Sequence, residues 1–297
     1  MEYRNLGKSN LKISRIAFGC MSLSTRYDEA APLLHEAWDK GINFFDTADL
    51  YDKGRNEEIV GKALKGIRNR VIIATKVGNQ WRPDGSGWDW NPTKAYILEA
   101  VHKSLERLQT DYIDLYQLHG GTIDDPIDET IEAFEILKSK GLIRYYGISS
   151  IRPNVIREYV KRSDIVSNMM QYSLLDRRPE ESCLDDLQEN QISVIVRGAL
   201  AKGLLAGKEA KSYLGHSEAQ VRLAQQLLTN HSPDRTSGQT ALRFCLAHPA
   251  VTTIAAGIRT QDQLRENATV FESTELSASI LETLKQGVPA AVYEQHR

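Results

Sequence analysis

The stretch Phe44-Phe45-Asp46-Thr47-Ala48-Asp49-Leu50-Tyr51, running on through Gly54-Arg55-Asn56-Glu57-Glu58 to Gly61-Lys62-Ala63-Leu64, decides the fold of this chain. It reads as a short apolar strand that ends in a carboxylate. A polar loop then leads into a helix with Ile59, Val60, Ala63 and Leu64 on one face. A strand that turns into a helix in this way is one unit of an α/β fold. In such folds chemistry gathers where strands stop and loops begin. Asp46 and Tyr51 are therefore the first candidate site residues.

The same unit recurs on both sides. Upstream, Tyr3, Leu6, Leu11 and Ile13 flank a Gly7-Lys8-Ser9-Asn10 turn, which predicts a hairpin over residues 1–14. Ile16-Ala17-Phe18 is a buried strand with the small-residue exit Gly19-Cys20-Met21-Ser22. Residues 28–40 form a helix stopped by Gly41, with Pro32 in or near its first turn, where a missing N–H costs little. Downstream, strands at 71–76, 112–118, 142–148, 165–170, 192–196 and 251–255 alternate with helices at 93–108, 126–140, 153–160, 184–190, 240–248 and 260–270. A long polar loop reaches Pro92 after the strand at 71–76, and an insertion covers 203–237. Eight strand–helix units without a linker predict a parallel sheet closed on itself. The expected fold is an α/β (β/α)8 TIM barrel with an N-terminal β-hairpin, formed by residues 1–297 as one domain.

Composition narrows the function classes. The chain has 297 residues, 41% hydrophobic and 26% charged, with a formal net charge of -2. That is ordinary globular composition, and no basic face argues for a nucleic-acid partner. The first residues carry no apolar core of a signal peptide, and no apolar run approaches the roughly 20 residues of a membrane helix. Cys20, Cys183 and Cys245 are far apart and odd in number, which suggests neither a disulfide framework nor a zinc site. The histidines other than His119 show no ligand pattern. A cytoplasmic protein without metal, membrane or nucleic-acid partner is expected; the sequence sets no oligomeric state.

In a closed parallel barrel all strand C-termini lie on one face, so residues distant in sequence converge there. The polar residues at those ends are Asp46, Lys76, His119, Ser149, Ser150, Gln171 and Arg197, with Tyr51 in a loop above. Singly, Asp46 is an ordinary helix-capping residue, Lys76 an ordinary strand-end charge and His119 an ordinary structural histidine. Together at successive strand ends they suit carbonyl chemistry. A tyrosine's ordinary pKa of about 10 is high for a proton donor at neutral pH. A neighbouring ammonium is expected to lower it, an aspartate to hold that ammonium, and an imidazole to align a substrate oxygen.

These residues, with Phe45-Asp46-Thr47-Ala48, Tyr51, Asn56-Glu57-Glu58, Gly61, Thr75-Lys76 and the run from Tyr116 to His119, resemble the aldo-keto reductases. The resemblance continues through Gly147-Ile148-Ser149, Gln171-Tyr172-Ser173-Leu174-Leu175, Gly203-Leu204-Leu205, Gly207-Lys208 and Gly257 to Asn267. In texture the chain is similar to the bacterial branch that also resembles potassium-channel β subunits.

The resemblance implies NADPH (NADP+) as cofactor and hydride transfer to an aldehyde or ketone, reversible as alcohol oxidation. It implies a catalytic set of Asp46, Tyr51, Lys76 and His119, with Tyr51 as general acid. It also implies nicotinamide contacts from Ser149, Ser150 and Gln171, with Arg197 where many relatives stack an aromatic. Gly198, Ala199, Leu200 and Lys208 match the pyrophosphate loop, and Gly257, Arg259, Gln263, Glu266 and Asn267 the adenosine end. Arg259 at a helix N-terminus suits a 2′-phosphate. Gly19, Cys20 and Met21 match the loop beside the nicotinamide ribose. Trp81, Trp88 and Trp90 lie in a loop over the mouth and are expected to wall the pocket of a small-molecule carbonyl substrate. Two rival functions remain beside this one. One is a Schiff-base aldolase using Lys76; the other is an NADPH-binding, redox-sensing subunit with little turnover.

Overall fold

The computed structural model describes residues 1–297. In chain order, β1 (Tyr3–Asn5) and β2 (Lys12–Ser14) form an antiparallel hairpin and lead into β3 (Ile16–Gly19), α1 (Tyr27–Asp39), β4 (Phe44–Asp46) and α2 (Arg55–Leu64). Next come β5 (Ile72–Val77), the short strands β6 (Asn79–Trp81) and β7 (Trp88–Trp90), α3 (Lys94–Leu108), β8 (Ile113–Leu118) and α4 (Ile127–Ser139). The chain continues through β9 (Ile143–Ser149), α5 (Pro153–Arg162), β10 (Ser167–Gln171), α6 (Cys183–Glu189) and β11 (Ser193–Arg197). It ends with α7 (Glu218–Asn230), α8 (Ser237–Leu246), β12 (Val251–Gly257), α9 (Gln261–Ala268) and α10 (Ala278–Gly287).

The strands β3, β4, β5, β8, β9, β10, β11 and β12 pair in that order, all parallel, and β12 returns to β3 to close the barrel. The predicted (β/α)8 architecture and the N-terminal hairpin are both present. Side chains on a strand alternate between the two faces of the sheet, and here the alternation builds the site. Ala17, Phe44, Ala74, Leu115, Met169 and Ile195 form one apolar cluster inside the barrel. Leu6, Leu11 and Ile13 of the hairpin join it and plug the N-terminal end. Two residues further along the same strands stand Gly19, Asp46, Lys76, Gln117, Gln171 and Arg197. The polar layer therefore rests directly on an apolar floor. A second, larger core fills the space between strands and helices, with Phe18, Phe45, Tyr116 and Phe134 among its buried members.

Four features differ from the sequence reading, one of them a further helix, α10, in the C-terminal segment. The loop after β5 is not featureless: β6 and β7 pair antiparallel, with Asn79 opposite Trp90 and Trp81 opposite Trp88. The insertion before α8 holds a full helix, α7, opened by a capping box between Ser217 and Gln220. Its fully buried positions are only Val221, Ala224 and Leu228, with Leu227 partly buried beside them, a thin apolar stripe. Pro32 lies past the first turn of α1, which begins at Tyr27 rather than Asp28.

Candidate active site

Lys76 is the centre of the polar layer, and its side chain is fully buried. Its Nζ donates to Asp46 Oδ2 at 2.7 Å, to the Thr47 carbonyl oxygen at 2.7 Å and to the Tyr51 hydroxyl at 3.3 Å. Those three bonds use all the donors of an ammonium. Asp46 reaches it because β4 and β5 pair with Asp46 opposite Ala74, one inward step below Lys76. The other carboxylate oxygen, Asp46 Oδ1, accepts from Gln117 Nε2 at 3.2 Å. Gln117 stands opposite Lys76 in the β5–β8 register, so the ion pair is held from both sides. Tyr51 is turned back over the mouth by a tight turn in which Asp52 and Lys53 take left-handed backbone angles, φ 49° and 54°.

His119 follows β8 and meets the Tyr51 ring edge-on, centroids 5.9 Å apart. Its backbone is pinned: the N–H donates to Val77 at 2.7 Å, and its carbonyl accepts from Asn79 Nδ2 at 3.3 Å. Its Nδ1 is buried without a partner in the protein. Burial first, then the charges of Lys76 and Arg197, push its pKa down to about 3, so the ring is neutral at working pH. An unfolded histidine titrates near 6.5. The depressed folded value therefore adds stability that is complete above that pH and is lost as pH falls from about 6.5 toward about 3. His119→Asn is expected to flatten the fall of Tm over this window; an unchanged Tm profile contradicts the assignment.

The other pKa values are set by burial against charge. Burial lowers the Lys76 pKa, yet Asp46 and Tyr51 together outweigh it and the net shift is upward, so the ammonium stays charged. For Tyr51, burial is the largest influence and raises the pKa, with Lys76 opposing it. The net direction is upward, opposite to the expectation that the ammonium would make this phenol more acidic. Desolvation of a phenolate outweighs one cation here, and Tyr51 keeps its proton at neutral pH.

Around this centre the remaining predicted residues fall into groups. Gln171 and Arg197 are opposite each other in the β10–β11 register, and Arg197 Nη1 donates to Gln171 Oε1 at 3.0 Å. The next residue, Gly198, has φ +72°, and a Cβ there would stand 3.2 Å from Gln171 Cγ, so a side chain would crowd the amide. Ser150 is buried, accepting through its hydroxyl from the Arg152 N–H and donating its own N–H to Asn168 Oδ1. Ser149 stands beside it at the end of β9. The Lys208 ammonium donates to the Lys202 carbonyl at 2.9 Å. It helps to line a cleft of about 510 Å³ shared with Lys202, Lys211 and Tyr213, adjoining the Gly198-Ala199-Leu200 turn in sequence.

At the far end, exposed Arg259 precedes α9, and its N–H donates to Gln263 Oε1 at 2.9 Å. Glu266 accepts from the Thr236 hydroxyl and Asn267 is buried. Gly257 pairs with Gly19 where β12 meets β3. Cys20 turns its buried thiol toward the Phe18 carbonyl, and burial raises its pKa well above the ordinary value. Met21, beside it, is 65% exposed.

The tryptophans do not behave alike. Asn79, Trp81, Trp88 and Trp90 share one face of the β6–β7 hairpin. The Trp81 Nε1 is buried without a partner, and Trp88 is exposed at the edge. Trp90 is a brace: its Nε1 donates to both oxygens of Asp125, at 3.0 and 3.1 Å. Its ring covers Gly78, φ +121°, where a Cβ would lie 2.6 Å from it. Two polar residues of the site, Gln117 and Asn168, were missed in the sequence. Gln117 was visible in principle, two residues before His119 on the inward face.

This barrel, with a buried Asp–Lys–Tyr cluster and an open polar rim, is that of an oxidoreductase. The model of the aldo/keto reductase family matches residues 15–287, and the chain belongs to that family. It is 52% identical to the uncharacterized oxidoreductase YqkF of Bacillus subtilis (strain 168), covering 100% of both chains. It superposes on the holo form of the aldo-keto reductase AKR11C1 from Bacillus halodurans with a TM-score of 0.94 at 55% identity, covering 100% of this chain and 99% of that one. A probable voltage-gated potassium channel subunit beta of Arabidopsis thaliana is 30% identical over 90% of each chain.

Proposed function

We propose that this protein is an NADPH-dependent reductase of aldehydes and ketones, reversible as alcohol oxidation, with Tyr51 as general acid. One observation carries the reading: a wholly buried ammonium held 2.7 Å from Asp46 and 3.3 Å from the Tyr51 hydroxyl, at the mouth of the barrel. The residues around it fit a nicotinamide dinucleotide. Gln171 and Ser149 suit the carboxamide, Arg197 the ring face, Lys208 with the backbone of Gly198, Ala199 and Leu200 the pyrophosphate. Gly19, Cys20 and Met21 suit the ribose, and Gly257, Gln263, Glu266 and Asn267 the adenosine. Ser150, whose hydroxyl already accepts a bond, has donor capacity left for the carboxamide. Trp81 and Trp88 border the space a carbonyl substrate would enter.

When bound, the reduced nicotinamide supplies the hydride. Tyr51 Oη gives its proton to the carbonyl oxygen as that oxygen gains charge, and the neighbouring ammonium stabilises the phenolate left behind. Asp46 keeps Lys76 charged and placed. Neutral His119 donates a ring N–H to the same oxygen and fixes its approach. The product is the alcohol, and bulk solvent returns the proton to Tyr51. An aldolase would need a neutral Lys76 amine with a free lone pair; the raised pKa and three occupied donors argue against it. The intact set of four argues against a purely sensing subunit. No helix is long and apolar enough to cross a membrane.

The test is the loss of NADPH absorbance with a panel of aldehydes and ketones, NADH alongside. Arg259→Ala is expected to raise the KM for NADPH about tenfold while leaving that for NADH unchanged, as loss of a charge-assisted phosphate contact requires. Equal effects on both cofactors would remove Arg259 from the 2′-phosphate site.

A further inference from the structure

Asp176 is a buried carboxylate, 2% exposed, that the reaction as described does not use. A four-residue turn, closed by reciprocal backbone bonds between Ser173 and Asp176, brings it back beside the end of β10. Its Oδ2 accepts from Gln171 Nε2 at 2.8 Å. Both its oxygens accept from Arg178, Oδ1 from Nε and Oδ2 from Nη2, each at 2.7 Å. The Arg178 guanidinium in turn lies 5.5 Å from the ring of Tyr293 in the C-terminal segment. On the other side, Gln171 Nε2 also reaches the Tyr213 hydroxyl at 3.4 Å, and Gln171 Oε1 takes the bond from Arg197.

The geometry points to Asp176 as a positioning residue that sets which way the Gln171 amide faces and, through it, where the Arg197 guanidinium stands. A carboxylate only accepts, so it selects the amide nitrogen and leaves the amide oxygen for Arg197. Arg178 supplies the countercharge beside the buried Asp176 carboxylate, and Tyr293 ties that arginine to the C-terminal segment. Two neutral partners in place of this chain would leave the amide free to turn, presenting its NH2 to a guanidinium that can only donate. The role of the relay in cofactor binding rests on the NADPH reading above; its geometry does not.

Two measurements separate the two ideas. In a crystal structure of Asp176→Asn without nucleotide, Gln171 is expected to lose its bond to Arg197 and the guanidinium to leave its place. An unmoved Gln171–Arg197 pair overturns the relay, whatever the enzyme does. In NADPH titrations followed by fluorescence, Asp176→Asn is expected to weaken binding about tenfold, as loss of a hydrogen bond to a charged group implies. The same substitution in an Arg197→Met background is expected to have a clearly smaller further effect, the part that acts through Gln171 itself. Effects that simply add across this cycle overturn the coupling. An Asp176→Asn enzyme with unchanged NADPH affinity overturns it as well. Wild-type protein that fails to oxidise NADPH with any carbonyl would instead sink the functional reading and leave the crystallographic test standing.

Discussion

Tyr51→Phe is expected to lower kcat for carbonyl reduction by about a thousandfold, within the range of roughly 10²–10⁴ that a positioned general acid contributes, while NADPH binds as before. The substitution removes one oxygen and leaves the ring against His119, so the packing of the mouth is kept. The buried phenol carries its proton through neutral pH, because burial raises its pKa and Lys76 only partly offsets the rise. The ammonium therefore acts less on the resting phenol than on the phenolate that appears as the proton leaves. That is differential stabilisation of the transition state, the form of binding that speeds a reaction. Steady-state kinetics with a nucleotide titration on the same sample checks the prediction. Turnover retained in the phenylalanine variant takes the acid role away from Tyr51.

Lys76→Met combines a chemical loss with a structural one. It removes the cation beside Tyr51, so kcat is expected to fall by at least about a hundredfold. It also leaves Asp46 buried with only Gln117 and no countercharge. Breaking a buried pair by deleting one partner costs about 3–5 kcal/mol. Burial already raises the Asp46 pKa with its partner present, and without Lys76 it rises further. A carboxyl whose folded pKa lies above its unfolded value of about 3.9 costs little stability below that value and more as pH rises through the folded one. The stability deficit of Lys76→Met should therefore shrink on acidification toward pH about 4. Adding Asp46→Asn should recover most of the lost stability at neutral pH and none of the turnover. Denaturant melts at two pH values, with kinetics on the double variant, separate the two losses. Turnover that returns together with stability would mean that Lys76 serves the fold alone.

The barrel was legible because its strands are buried on both faces and read as short apolar runs, each answered by a helix with helical spacing. Asp46, Lys76 and His119 were legible for the same reason, as polar residues that stop apolar runs. Gln117 escaped because it sits inside a strand, and only the inward alternation with His119 betrays it. The β6–β7 hairpin escaped because Arg82, Asp84 and Asp89 make its composition polar, although Asp84-Gly85 is a turn signal between Trp81 and Trp88. The helix α7 escaped through its thin apolar face, although Ser217 and Gln220 mark its start. The direction of the Tyr51 shift was beyond the sequence altogether: it depends on how deeply the ring is buried, and that is fixed by a turn at Asp52 and Lys53 that no propensity announces. Asp176 was hidden in the same way, since only the tight return from Ser173 brings it beside Gln171.

The most direct measurement follows the hydride itself. NADPH carrying deuterium at both positions of C4 of the nicotinamide, incubated with the protein and an aldehyde that it consumes, should yield an alcohol with one deuterium on the carbinol carbon. An alcohol free of deuterium, or NADPH left unoxidised across the whole carbonyl panel, would contradict the account.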